Sequence, residues 1–391
     1  MTTTTQRPGA APPRPPSWWE RQGDLIMRRP FSEWTFTHMN WLLPAERVAR
    51  GVARLLPQEP ISLRHVTYGH GHTLADLHRR TFTTAFVVLR DGMLVHEAYP
   101  GTFARRGARM QLFSVSKSVL SMLVGIALAE HAIESLDDPV ARYRPDFRGT
   151  AYRDVTVAQL LDMTSGVGEL EVWDVPDSGI KRFERAVAGG GDVFDVVRSA
   201  PRTAPAGERF NYSTFDSQVL GWVLEAATGR SLAGYASEKL WQPVGAERDG
   251  YYWLTRRRPR TAIGAGSLNA TARDLARLGQ VMADDGRVAG RRVVPADWVR
   301  RSRTPRHPVG SLGPSGYPHY GYANHWWTLD NGAFTGVGVH GQYLYVDPAA
   351  RVVIVKCSAW PTQDDQVLDA ETIAALQAVA AHVSTGRLIS R

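Results

Sequence analysis

One stretch constrains this chain more than any other. Ser114-Val115-Ser116-Lys117 opens directly into the apolar run Val119 to Ala129. The run is too short to span a bilayer and is interrupted by Ser121, so it predicts a buried core helix over 114–133. Residues three apart share a helix face, which brings Ser114 and Lys117 together. A lysine in such surroundings has little water to reach toward. Burial disfavours its cation, and a neutral amine accepts a serine proton. At the helix start, Ser114 also meets free backbone N–H groups and the positive dipole end, which suit an oxyanion. A capping serine with a snorkelling lysine would give the same four letters; the apolar surroundings favour chemistry.

Such a pair calls for a second proton carrier. Tyr212, in Phe210-Asn211-Tyr212-Ser213-Thr214, stands in a polar turn before a helix over 216–227. A tyrosinate beside a lysine ammonium has a lowered pKa and serves as a base. The chain has 13 tyrosines, so composition does not select this one, and a half-buried tyrosine anchoring a loop is the rival reading.

Around this core the pattern is strand-like at both ends and helical between. Thr81 to Tyr99 reads as two strands joined at Asp91-Gly92, and the segments around Tyr343, Tyr345 and Val352 to Val355 flank a turn at Asp347-Pro348. Helices are expected at 157–163, 193–198, 216–227, 274–283 (capped by Thr271) and 371–383. Residues 18–57 read as an aromatic-rich wrapping arm, and 167–205 as long loops apart from 193–198. The fold expected is mixed α/β of the α+β kind, an antiparallel sheet flanked by helices with an inserted helical lobe. Residues 1–20 read as a disordered Pro/Thr-rich tail and 21–391 as one catalytic unit. Its sheet lobe is about 60–134 plus 265–391, and its helical lobe about 135–264. The cleft between lobes is where a site is expected.

Several motifs now stand in order: Ser114-x-x-Lys117, then Leu160 through Gly166 (Leu-Leu-Asp-Met-Thr-Ser-Gly), Tyr212 before its helix, and a glycine-rich C-terminal strand. Together they resemble the β-lactamase-related serine hydrolases, which include class C β-lactamases, D-alanyl-D-alanine peptidases and esterases, and share the β-lactamase/transpeptidase-like fold. A narrower likeness is to the 6-aminohexanoate-dimer hydrolases. Phe113 to Ser118, Thr271 to Arg277, Trp326-Trp327, Gly336 to Pro348 and Val353 to Pro361 carry it. The resemblance spans roughly 80–385. It implies that Ser114 forms the acyl-enzyme, that Lys117 and Tyr212 share the acid and base work, and that the backbone N–H groups of Ser114 and Val339 make the oxyanion hole. Trp327, Trp173 and His340 are the substrate-binding candidates.

The chain departs from the pattern in three places. The third motif usually opens with a cation, yet Gly336-Val337-Gly338 falls in that slot, with His340 as rival occupant under a four-residue shift. Thr214 stands where β-lactamases carry Asn. The segment 167–176 lacks the tyrosine that 6-aminohexanoate-dimer hydrolases use on an amide, Trp173 being its nearest aromatic. These departures favour cleavage of small esters or linear amides over β-lactam or peptidoglycan chemistry. The alternatives are 6-aminohexanoate-oligomer amidase, β-lactamase or D-peptidase activity, and a non-catalytic ligand-binding member of the fold.

The remaining signals are weak. The formal charge of +8 comes largely from scattered arginines; the one tight run, Arg256-Arg257-Arg258 and Arg260, has no nucleic-acid motif around it. Gly336 to Gly341 fits G-x-G-x-x-G but leads into strand-like sequence, against a dinucleotide site. His65, His70, His72 and His78 cluster without metal-ligand spacing. The expectation is no cofactor, no metal, no nucleic-acid and no membrane partner, with a homodimer left open. The single cysteine, Cys357, excludes an internal disulfide and reads as buried and inert. Met1 to Pro16 has no apolar core of a secretory signal, so a cytoplasmic setting is expected.

Overall fold

The computed structural model describes residues 25–307, 309 and 321–385; the stretch read as a tail, 1–20, lies outside them. Its largest sheet has seven strands, all antiparallel, in the spatial order 321–323, 326–328, 334–338, 342–347, 352–358, 83–90, 93–98. Five strands from the C-terminal part thus close against the early hairpin, as the strand-like ends predict. The hairpin turns at Asp91 and Gly92, both with positive φ.

Side chains alternate across this sheet with period two. Ala85, Val87, Leu89, Val353 and Val355 face one apolar cluster. On that face lie helix Val115–Ala129 and helix Ala272–Ala283. Phe86, Val88 and Ile354 face the other cluster, under helices Leu74–Arg80 and Gln366–Thr385. Gly279 lets the second helix approach the sheet, since a Cβ there would stand 2.5 Å from Val353 Cγ1. The first cluster continues without a break into the helices of 140–244, among them Thr214–Thr228, so sheet and helical cover share one core.

Two features escape the sequence pattern. Residues 45–48, 250–253, 268–270 and 110–111 form a second, four-stranded antiparallel sheet. Ala45-Glu46-Arg47-Val48 carries too little apolar alternation to announce itself; its strand exists because Gly250–Trp253 offers an edge. Likewise helix Gly179–Arg185 lies in a stretch read as loop, because only Ile180 and Phe183 of it are buried.

The segment Thr271 to Arg277 is structural. Thr271 Oγ1 accepts from the Asp274 N–H and caps its helix. The Arg273 guanidinium, 1% exposed, clamps the Glu97 carboxylate at 2.5 and 2.8 Å and reaches Glu247 at 3.4 Å. Arg277 joins Glu247 at 2.8 Å and Asp274 at 3.3 Å. Removing one member of a buried ion network strands the other charges. Arg273→Ala should therefore lower the unfolding free energy by about 3–5 kcal/mol in urea titration. A loss below about 1 kcal/mol would mean the network is solvated.

Candidate active site

Ser114 sits at the N-cap of helix Val115–Ala129, presented by Phe113, whose φ of +45° is a left-handed conformation that a bulky residue rarely adopts. Lys117, one turn on, is 1% exposed. Its Nζ stands 2.9 Å from Ser114 Oγ, 2.8 Å from the Ala265 carbonyl oxygen and 3.4 Å from Thr214 Oγ1. A neutral amine has two N–H donors and one lone pair. Donation to Ala265 O and Thr214 Oγ1 leaves the lone pair for the Ser114 hydroxyl. Burial favours that form, pushing the Lys117 pKa down to about 8, with the Glu171 charge pulling the other way.

Tyr212 closes the triangle. Its ring centroid lies 5.2 Å from Lys117 Nζ, and it lines the cleft and its narrow recess together with Ser114. Its ring is held by Trp327, stacked at 5.5 Å, and by Tyr322, edge-on at 6.1 Å. The turn carrying it is pinned from below: Asp216 Oδ1 accepts from Ser165 Oγ at 2.7 Å and from the Tyr152 hydroxyl at 2.8 Å. Gly166 follows with φ +68°, in a place where a Cβ would lie 2.1 Å from the Ala204 carbonyl oxygen. One expectation is reversed. Burial, reinforced by the Glu171 charge, raises the Tyr212 pKa instead of lowering it. Tyr212 rests as a neutral phenol.

Gly336–Gly338, not His340, runs beside Ser114. A Cβ at Gly338 would stand 2.6 Å from the Leu112 carbonyl oxygen and 3.1 Å from Ser114 N. One at Gly336 would stand 2.8 Å from Ser118 Oγ, which is tied to the His325 carbonyl oxygen at 2.7 Å. A cation in this slot would displace Ser118. Val339, just past the strand, lines the cleft together with Ser114. His340 is 2% exposed; its Nδ1 lies 2.9 Å from the Trp360 carbonyl oxygen, and its ring also reaches the cleft wall. Trp327 lines a narrow recess of ≈ 40 Å³ beside Ser114, and the half-buried Trp173 borders both that recess and the main cleft.

Glu171 is the residue that the sequence pattern misses. Its carboxylate accepts from the Thr214 N–H and lines both recess and cleft. Burial raises its pKa, and the Lys117 charge opposes that. Thr214 thus touches both partners, its N–H on Glu171 and its hydroxyl on Lys117. Nothing in Gly168-Glu169-Leu170-Glu171 says which glutamate turns inward.

Other expectations fall elsewhere in the fold. Arg256 donates to the Leu42 carbonyl oxygen at 2.6 Å at the cleft edge, while Arg257, Arg258 and Arg260 are exposed. Cys357 is buried, which pushes its thiol up to about 12. Among the described residues no group of three or more His, Cys, Asp and Glu side chains could hold a metal ion, and no helix is long and apolar enough to cross a membrane.

A family model described as Beta-lactamase matches residues 67–378. The chain belongs to the beta-lactamase family. It is 32% identical over 376 residues to a 6-aminohexanoate-dimer hydrolase of Paenarthrobacter ureafaciens, covering 91% of each chain. Esterase EstB of Burkholderia gladioli is 29% identical over 192 residues, 44% of this chain and 48% of that one. A solved structure from Bacillus anthracis, provisionally named a 6-aminohexanoate-dimer hydrolase, superposes with a TM-score of 0.82 at 26% identity, covering 93% of this chain and 97% of the other. This beta-lactamase family member is an enzyme, a serine hydrolase with the β-lactamase/transpeptidase-like fold.

Because Gly338 packs against Ser114 N, Gly338→Ala should push the Ser114 amide aside. The expected result is a loss of at least about tenfold in hydrolytic kcat/KM of the folded protein, with a lowered melting temperature because the new methyl also overlaps the Leu112 carbonyl oxygen. Full activity would show that the strand yields freely.

Proposed function

We propose that this enzyme cleaves small carboxylic esters or linear amides through an acyl-enzyme on Ser114. The observation that carries the reading is a desolvated amine 2.9 Å from a helix-cap hydroxyl, with the ring of a tyrosine centred 5.2 Å from that amine. In the first step Ser114 Oγ attacks the carbonyl carbon while its proton passes to Lys117 Nζ. The carbonyl oxygen becomes an oxyanion, to which the N–H groups of Ser114 and Val339 donate. When the tetrahedral species collapses, the bond to the leaving alcohol or amine breaks. The neutral Tyr212 phenol supplies the departing group's proton and is reprotonated from Lys117. Water then repeats the sequence on the serine ester, releasing the acid and restoring Ser114. Residues 21–391 act here as one catalytic unit, with Trp327, Trp173 and His340 bordering the substrate.

Ester cleavage is favoured over β-lactam or peptidoglycan cleavage. Gly336 offers no cation to a substrate carboxylate, and the Glu171 carboxylate at the nucleophile repels one. The 6-aminohexanoate-dimer hydrolase of P. ureafaciens supports an amide as second substrate class.

Incubation with p-nitrophenyl acetate should give a burst of nitrophenol and an acetyl adduct on Ser114 by mass spectrometry. Ser114→Ala should abolish both. Tyr212→Phe should cost about 10²–10⁴ in kcat/KM; a full rate would remove Tyr212 from the mechanism.

The base must be unprotonated, so kcat/KM should rise with pH through an apparent pKa near 8, the depressed value of Lys117. The Glu171 charge holds that value up. Glu171→Gln should therefore move the rising limb to lower pH. A limb unmoved by this substitution would separate Glu171 from Lys117.

A further inference from the structure

The cleft is larger than a small ester needs. Its volume is ≈ 1640 Å³, against roughly 300–1,000 Å³ for ordinary small-molecule sites. Beyond Ser114, Lys117 and Tyr212 it extends between the N-terminal segment and helix Gly179–Arg185. Met39, Leu43, Ile180, Phe183, Val187 and Trp253 wall this arm, and all but Leu43 are buried. At the mouth stand two exposed apolar side chains, Leu170 at 61% and Val172 at 38%.

Of the charged groups that line the cleft, Arg28, Asp174 and Arg209 are exposed, while others are engaged with partners. Lys181 pairs with Glu184 at 2.9 Å, Arg185 with Asp177 at 2.6 Å, and Arg256 donates to the Leu42 carbonyl oxygen. Glu171 is tied to the Thr214 N–H. A charged chain entering here would lose its water and meet groups already satisfied. An apolar chain would lose only its hydration shell, which is favourable.

We propose that, on the serine hydrolase reading given above, the substrate is an uncharged ester bearing a long apolar chain, with that chain lying in this arm. The arm acts as a ruler: each methylene that enters it leaves water, and the gain is expressed in kcat/KM.

The test uses the full chain and three sets of esters. The first is p-nitrophenyl esters from acetate to decanoate. The second is acetate esters of linear alcohols of the same lengths, which places the chain on the leaving side. The third compares p-nitrophenyl heptanoate with p-nitrophenyl 6-aminohexanoate, equal in length but ending in an ammonium. In one of the first two series kcat/KM should rise up to about fourfold per methylene, reaching about 100-fold by eight carbons. The series that rises identifies the end of the ester that carries the chain. Heptanoate should exceed 6-aminohexanoate at least tenfold. Leu43→Asp should lower the octanoate-to-acetate ratio at least tenfold. Leu170→Asp, at an exposed position, should lower it about threefold.

Acetate turnover with flat or falling values in both series would overturn the inference and leave the Ser114 mechanism standing. A preference for the ammonium-ended ester would do the same. Failure of every ester to acylate Ser114 would sink the mechanism, and the inference with it.

Discussion

A lysine amine held out of water beside a serine hydroxyl is the constraint on which the rest of this molecule depends. In water that amine would carry a proton. Dryness needs thickness. Helix Val115–Ala129 is covered by the sheet on one side and by the helices of 140–244 on the other. Dryness also needs partners, because an amine without acceptors would be costly to bury. The Ala265 carbonyl, beside the second sheet, and the Thr214 hydroxyl, from the helix after Tyr212, supply them. Two long helices and the loop that leads into the four-stranded sheet are thereby tied to one nitrogen atom.

The same constraint accounts for the unusual third motif. Once the strand Phe334–Gly338 runs past Ser118 and Ser114 at backbone distance, side chains at 336 and 338 have no room. No cation stands there, and Glu171 borders the same recess as Ser114 and Gly338. The aromatic ring of Trp327, stacked on Tyr212, keeps that residue in place.

Charge elsewhere is spent on architecture. The arginines of Thr271 to Arg277 lie inside the protein, gripping Glu97, Glu247 and Asp274. That network fastens helix Ala272–Ala283 to the edge strand Met93–Ala98.

Local sequence determined the elements whose physics is local. Helix Val115–Ala129 followed from its apolar run, the turn at Asp91-Gly92 from two residues that tolerate positive φ, and the Thr271 cap from its spacing to Asp274. The meeting of Ser114 and Lys117 was equally local, since both lie on one turn of one helix. Other features required the assembled fold. Ala45–Val48 became a strand only where a neighbour offered hydrogen bonds, and helix Gly179–Arg185 only where a core received Ile180 and Phe183. The raised pKa of Tyr212 and the inward turn of Glu171 belong to the same class. Desolvation and long-range charge are properties of what surrounds a group in space, and no residue carries them in its own neighbours along the chain.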